Sequence, residues 1–315
     1  MNFLSLLKKT YISWDKNDPW AKSAIIAYYA LFSLPSLLMI TMYIAGIFLG
    51  KEAVKGRITE ELGALIGGDS AYAIEEMIAN VALQENSILT IIFGVVILVF
   101  GATGVFFQLQ KALNDIWSVR AKLNTFIDSL KRRVISFGLI LIIGFLLLIS
   151  LVLSMLIDGL SSYMANYYFE ASSILVSILN FILSEIFIAA LFASIFKMLP
   201  DIIIPWKTTI IGALITSLLF LIGKYIISFY FTQSNPTSVY GAAGSVVLIL
   251  LWVYYTCLIL FFGAEFTVNW ALLKGVKVVP SENATLSYEQ EIEELRAYKK
   301  KVEEDKKKSN DLASN

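Results

Sequence analysis

Histidine is absent from this sequence, and Cys257 is its only cysteine. Without an imidazole there is no histidine zinc site, no Ser-His or Cys-His nucleophile, and no histidine switch near neutral pH. A lone cysteine excludes an intrachain disulfide framework. Charge is scarce as well: 16% of residues are Asp, Glu, Lys or Arg, against about 25% in water-soluble domains. The 25 basic and 25 acidic residues cancel, so no basic excess points to nucleic acid. There is no G-x-S-x-G and no pair of intramembrane aspartates. A metal hydrolase lacking histidine would need an all-carboxylate site, and two distant glutamates do not make one. A Ser-Lys dyad of Lys224 with Ser217 or Ser228 can be drawn on paper only. The expectation is a protein that is not an enzyme and carries neither cofactor nor metal.

Apolar residues fill the space that charge leaves. They make up 57% of the chain, and the mean hydropathy is +0.73. They fall in runs long enough to cross a bilayer, which takes about 20 residues at a rise of about 1.5 Å each. Six such runs are expected as spans, at residues 24–49, 87–107, 134–157, 174–196, 208–231 and 245–272. The fold class that follows is all-α: a polytopic six-helix transmembrane bundle with amphipathic extracytoplasmic helices between spans 1 and 2. Those helices fall within Lys51–Asn86, where Ile58, Leu62, Leu65 and Ile66, then Ile74, Met77, Ile78 and Val81, recur at helical spacing. Their acidic face reads as a solvated surface or as a cation-collecting vestibule.

Before the spans, residues 1–19 form a unit of their own. Phe3, Leu4, Leu7, Tyr11 and Trp14 alternate with Lys8, Lys9 and Ser13, the pattern of an amphipathic helix. It can lie on the membrane face or pack on the cytosolic ends of the spans. Asp18 and Pro19 then read as the N-cap and first position of the next helix. No small-residue cleavage site precedes span 1, so a signal-anchor is expected. Lysine and arginine cluster on one side: Lys8, Lys9, Lys16 and Lys22, six residues between Lys111 and Arg133, then Lys197, Lys207, Lys274 and Lys277. By the positive-inside rule that side is cytosolic, and both termini lie there. Residues 274–315 form a charged cytosolic tail, solvated rather than a folded domain.

Within the membrane domain, 20–273, three ionisable residues stand out: Glu185, Lys224 and Glu265. A charge at mid-membrane costs roughly 2.5–3.5 kcal/mol on insertion scales, so each needs a partner, a water-filled cavity or a neutral state. Counting along the helices puts Glu185 roughly 16 Å and Lys224 roughly 12 Å below the outer ends of spans 4 and 5. The expectation is a buried pair or a shared cavity, either purely structural or used in transport. Glu265 counts to near the cytosolic interface, where Lys197, Lys207 or backbone donors are its expected partners. It reads as a helix-terminal anchor or as an ion or headgroup ligand. Tyr28, Tyr29, Ser33 and Pro35 in span 1, with Tyr240, Gly241 and Gly244 ahead of span 6, are candidate pocket-lining positions. The tyrosines read equally as packing groups. Gly94, Gly101 and Gly104 in span 2 are expected to allow close helix approach.

Several segments, in order, resemble the YihY / virulence factor BrkB family of bacterial six-helix inner-membrane proteins. They are Ala27–Pro35, the run Ala112-Leu113-Asn114-Asp115-Ile116-Trp117, and Leu199-Pro200 with Trp206. Tyr240–Gly244, Leu251–Tyr254 and Gly263-Ala264-Glu265 follow. The likeness covers roughly Trp20–Trp270. It implies a multi-pass protein of the bacterial inner membrane; an older ribonuclease BN label in that family finds no metal ligands or catalytic base here. The expected activity is transport or channel-like passage of an ion, small solute or lipid, linked to envelope integrity. The alternative is a non-transporting envelope factor that binds lipid or protein partners. Membrane lipids are the expected surroundings, and small-residue faces do not define an oligomeric state.

Overall fold

The computed structural model describes residues 3–33, 88–122, 171–234, 244–282, 284–288 and 292. The expected outer helices 51–86, span 3, Pro35, Tyr240, Gly241 and most of the tail lie outside the described residues.

The described chain is mostly helical. Helix α1 is Phe3–Lys16, and α2 is described from 19 to 33. Helix α3 is Ile88–Ile116, α4 Ala171–Met198, α5 Trp206–Ser234 and α6 Gly244–Leu273. Three of these contain stretches long and apolar enough to cross a membrane: Phe181–Met198, Trp206–Ile227 and Val246–Leu273. Helix α3 runs nine residues past the expected end of span 2, so the Ala112–Ile116 part of the family segment is its last turn and a half.

Local chemistry sets the helix boundaries. Asp18 takes a left-handed backbone, φ 49°, and its Oδ1 accepts from the Ala21 N–H at 3.4 Å. With Pro19 next, α2 starts on the cap that the sequence predicts. Helix α6 ends in a Schellman motif. Gly275 supplies the left-handed residue, φ 72°, while Val276 N–H bonds back to Ala271 O at 2.9 Å and Gly275 N–H to Leu272 O at 3.1 Å.

Helices α5 and α6 pack antiparallel through two reciprocal contacts between small residues. Thr267 covers Gly212, and Thr216 covers Gly263. Each threonine hydroxyl donates to the carbonyl one turn earlier on its own helix, Thr216 to Gly212 O and Thr267 to Gly263 O, both at 2.7 Å. Neither of these two hydroxyls is therefore left unmatched. Farther along, Gly223 receives Tyr255 and Ile259. Aromatic rings continue the core across three helices: Phe192 of α4 meets Phe220 of α5 at 5.8 Å, and Phe220 meets Trp252 of α6 at 5.6 Å.

Two departures from the sequence reading concern the periphery. Helix α1 packs against α6, but with Leu6, Thr10 and Trp14 as its buried stripe, while Phe3, Leu4 and Tyr11 stay exposed. The i, i+4, i+8 spacing of the buried trio defines the packed face, and the Trp14 indole N–H donates to Leu258 O at 3.2 Å. The fold is also not purely helical. Strand β1 (Val119–Ala121) pairs antiparallel with β4 (Ala284–Leu286), and β2 (Ile202–Ile203) with β3 (Val279–Pro280). Residues just beyond α6 are thus stitched to the segments that follow α3 and α4. Short strands of two or three residues carry no periodicity of their own, which is why the segment read as plain tail.

Candidate functional site

The polar groups of the helices sort into a satisfied set and an unsatisfied one. The satisfied set is a belt along one end of the bundle. Glu265, only 2% exposed, accepts a hydrogen bond from the Asn17 side chain, at the turn between α1 and α2. Lys22 of α2 lies close enough for its charge to act on Glu265, and its Nζ pairs with Asp115 Oδ2 of α3 at 2.8 Å. Next to Asp115, buried Asn114 grips Asp201 twice. Its Nδ2 donates to Asp201 Oδ2 at 2.7 Å, and its Oδ1 accepts from the Asp201 backbone N–H at 2.8 Å. Gln110 Nε2 adds bonds of 3.3 and 3.4 Å to the same carboxylate. Asp201 O in turn accepts from Ser281 N–H at 2.9 Å.

This belt corrects the expected partners of Glu265. Lys197 donates instead to the Ile204 carbonyl and sits 5.5 Å above the Trp206 ring. Asn17, Lys22, Gln110, Asn114 and Asp201 were not singled out by sequence. A signal was there, since three segments that carry the family resemblance, around Asn114-Asp115, Pro200 and Glu265, are the ones that meet in the belt.

Among the described residues, the buried polar atoms without a partner are the hydroxyls of Thr10, Ser23, Thr256 and Thr285 and, as the one acid, Glu185 Oε1 of α4, which lies near Lys224 of α5. The Glu185 charge is near enough to act on Lys224, yet no nitrogen–oxygen contact within 4.0 Å joins them, so of the two expected arrangements, a buried pair or a shared cavity, a direct ion pair is not formed. Glu185 Oε1 is buried and, among the described residues, has no hydrogen-bond partner. Of the paper dyad, the Ser217 hydroxyl is engaged with Leu214 O at 3.0 Å rather than with Lys224.

The candidate pocket positions that are described behave mainly as packing. Tyr29 lies over Gly104, and Ser33 lies over Gly101, whose own Cβ would stand 2.9 Å from that of Ser33. The Ser33 hydroxyl donates to Ala30 O at 3.3 Å. Tyr28 is exposed and stacks edge-on against Phe32 at 5.2 Å. Gly244 is the first residue of α6. Gly101 and Gly104 thus permit the close approach expected of them.

Apolar helices of spanning length, with their few charges gathered at one end and between two helices, define a helical membrane protein. The chain belongs to the virulence factor BrkB family, whose model matches residues 13–282. It is similar to a Bacillus subtilis protein named putative ribonuclease-like protein YfkH, 24% identical over 285 residues, covering 89% of this chain and 99% of that protein. It is also similar to a UPF0761 membrane protein of Psychromonas ingrahamii, 25% identical over 272 residues, with 84% and 86% covered. A third relative, a UPF0761 membrane protein of Vibrio vulnificus, is 28% identical over 253 residues, with 77% and 74% covered. No solved structure matches.

Proposed function

We propose that this protein is a six-span protein of the bacterial inner membrane, with both termini in the cytosol, that moves an ion, small solute or lipid through or along its helix bundle. The observation that carries the reading is Glu185 Oε1, buried and unpartnered beside Lys224. A membrane protein repays the cost of an intramembrane charge by pairing it, or keeps it open for a ligand or a proton. Glu265 illustrates the first case, with Asn17 and Lys22 around it. Glu185 fits the second. Glu265 is therefore assigned as an anchor between the N-terminal helix and α6, and Glu185 with Lys224 as the working pair.

The test is flux of ions, small solutes and lipids in proteoliposomes, with Glu185→Gln and Lys224→Met as controls. Loss of one charge at a site that holds its cargo by charge-assisted bonds is expected to slow flux by about tenfold or more. Wild type and both variants leaking alike for every probe would overturn the reading.

A further inference from the structure

We infer that the α4–α5 site takes a zwitterion: a molecule with an ammonium group and a phosphate or carboxylate on one short frame. The inference rests on the transport reading above and names its cargo class.

The argument begins with charge. Glu185 and Lys224 present opposite charges from adjacent helices, close enough for the Glu185 charge to act on Lys224 but with no nitrogen–oxygen contact within 4.0 Å between them. Among the described residues Lys224 has no hydrogen-bond or ion-pair partner, and Glu185 Oε1 has none either. A bare cation would satisfy Glu185 but would face the Lys224 ammonium at close range. A bare anion would satisfy Lys224 and face the Glu185 carboxylate. Either one leaves the filled site with a net charge in a low-dielectric layer, where an uncompensated charge is most costly. A zwitterion answers both at once: its ammonium donates to the Glu185 carboxylate, and its anionic oxygens accept from the Lys224 ammonium. The filled site is neutral and both charge-assisted bonds are made. A gap wider than an ion pair is what such a bridging group requires.

The same chemistry comes from two sources, a phosphoethanolamine lipid headgroup or a free amino acid. Proteoliposomes of the full chain would be assayed for transbilayer movement of phosphatidylethanolamine and phosphatidylglycerol, each labelled on an acyl chain, and for uptake of glycine, potassium and chloride. Phosphatidylethanolamine or glycine is expected to move at least about tenfold faster than phosphatidylglycerol, potassium or chloride. Faster phosphatidylethanolamine assigns the lipid source, and faster glycine the free solute. Glu185→Gln and Lys224→Met should each abolish that preference. The double swap Glu185→Lys with Lys224→Glu should keep it within about threefold, because a zwitterion can bind in the reversed orientation. The swap also restores charge balance, so it carries the test if a single variant fails to fold. A zwitterion preference unchanged in both single variants, or lost in a folded double swap, overturns the inference. Potassium, chloride or phosphatidylglycerol moving as fast as the zwitterions overturns it while leaving transport standing. No movement of any probe removes both.

Discussion

Taking away the Asn17 side chain leaves a carboxylate that is 2% exposed without its hydrogen-bond donor. Asn17→Ala is therefore expected to destabilise the protein by about 1–3 kcal/mol, the cost of orphaning a buried polar group. Glu265→Gln keeps an amide oxygen in the same place and should cost less than Asn17→Ala. Glu185→Gln should behave in the opposite sense, neutral or stabilising, because it removes a charge whose Oε1 has no bond to lose. Thermal unfolding midpoints in one detergent compare the three; a Glu185→Gln loss as large as that of Asn17→Ala would contradict the division into satisfied and unsatisfied acids. At this scale the sequence was half readable. Helical runs with isolated acids single out Glu185 and Glu265. They do not reveal that Asn17 will answer Glu265, because a side-chain bond across 248 residues leaves no periodic trace.

Helix α5 meets α6 through Gly212 under Thr267 and Gly263 under Thr216. An alanine methyl at Gly212 would stand 2.9 Å from Thr267 Cβ, closer than two carbons can pack. Gly212→Ala is expected to cost about 1–3 kcal/mol through overpacking. Adding Thr267→Gly moves the small residue to the facing helix and should recover most of that loss. Unfolding of the two single variants and the double variant measures the coupling between the positions, and a purely additive result would rule out a direct contact. The helices themselves were legible as long apolar runs, and Gly101 and Gly104 as points of close approach. The Gly-x-x-x-Thr pairs, 212 with 216 and 263 with 267, were not singled out, although they too are small residues one turn apart. What sequence could not supply was which helix each pair faces, since a small residue offers the same invitation to any neighbour.

Across the molecule, one end of the bundle is closed by pieces from three places in the chain. Strands β1 and β2 follow α3 and α4, and both pair with the segment 279–286 beyond α6. Ser287 N–H also reaches Ser118 O at 2.9 Å. Ending the chain after Lys277 should lower the unfolding midpoint and make the 199–205 segment more sensitive to protease. Ending it after Glu291 should do neither, because the strand pairs remain. Limited proteolysis of the two truncated proteins, read against full length, checks this. The strands escaped the sequence reading because pairing, rather than propensity, makes them: alone, segments so short have too few ladder bonds to hold their shape.

The bond between Asn17 and Glu265 has a meaning in time as well as in space. The ribosome delivers Asn17 first and Glu265 roughly a quarter of a minute or more later, at about 5–20 residues per second. For that interval the N-terminal helix waits without the surface it will cover, and the last apolar helix arrives carrying the acid that needs it. Late seating of α6 would then bring the two ends of the membrane domain together in one step, so a nascent chain halted before Gly263 should show an N-terminal helix still open to modification at a Trp14→Cys probe, and one released after Trp270 should not.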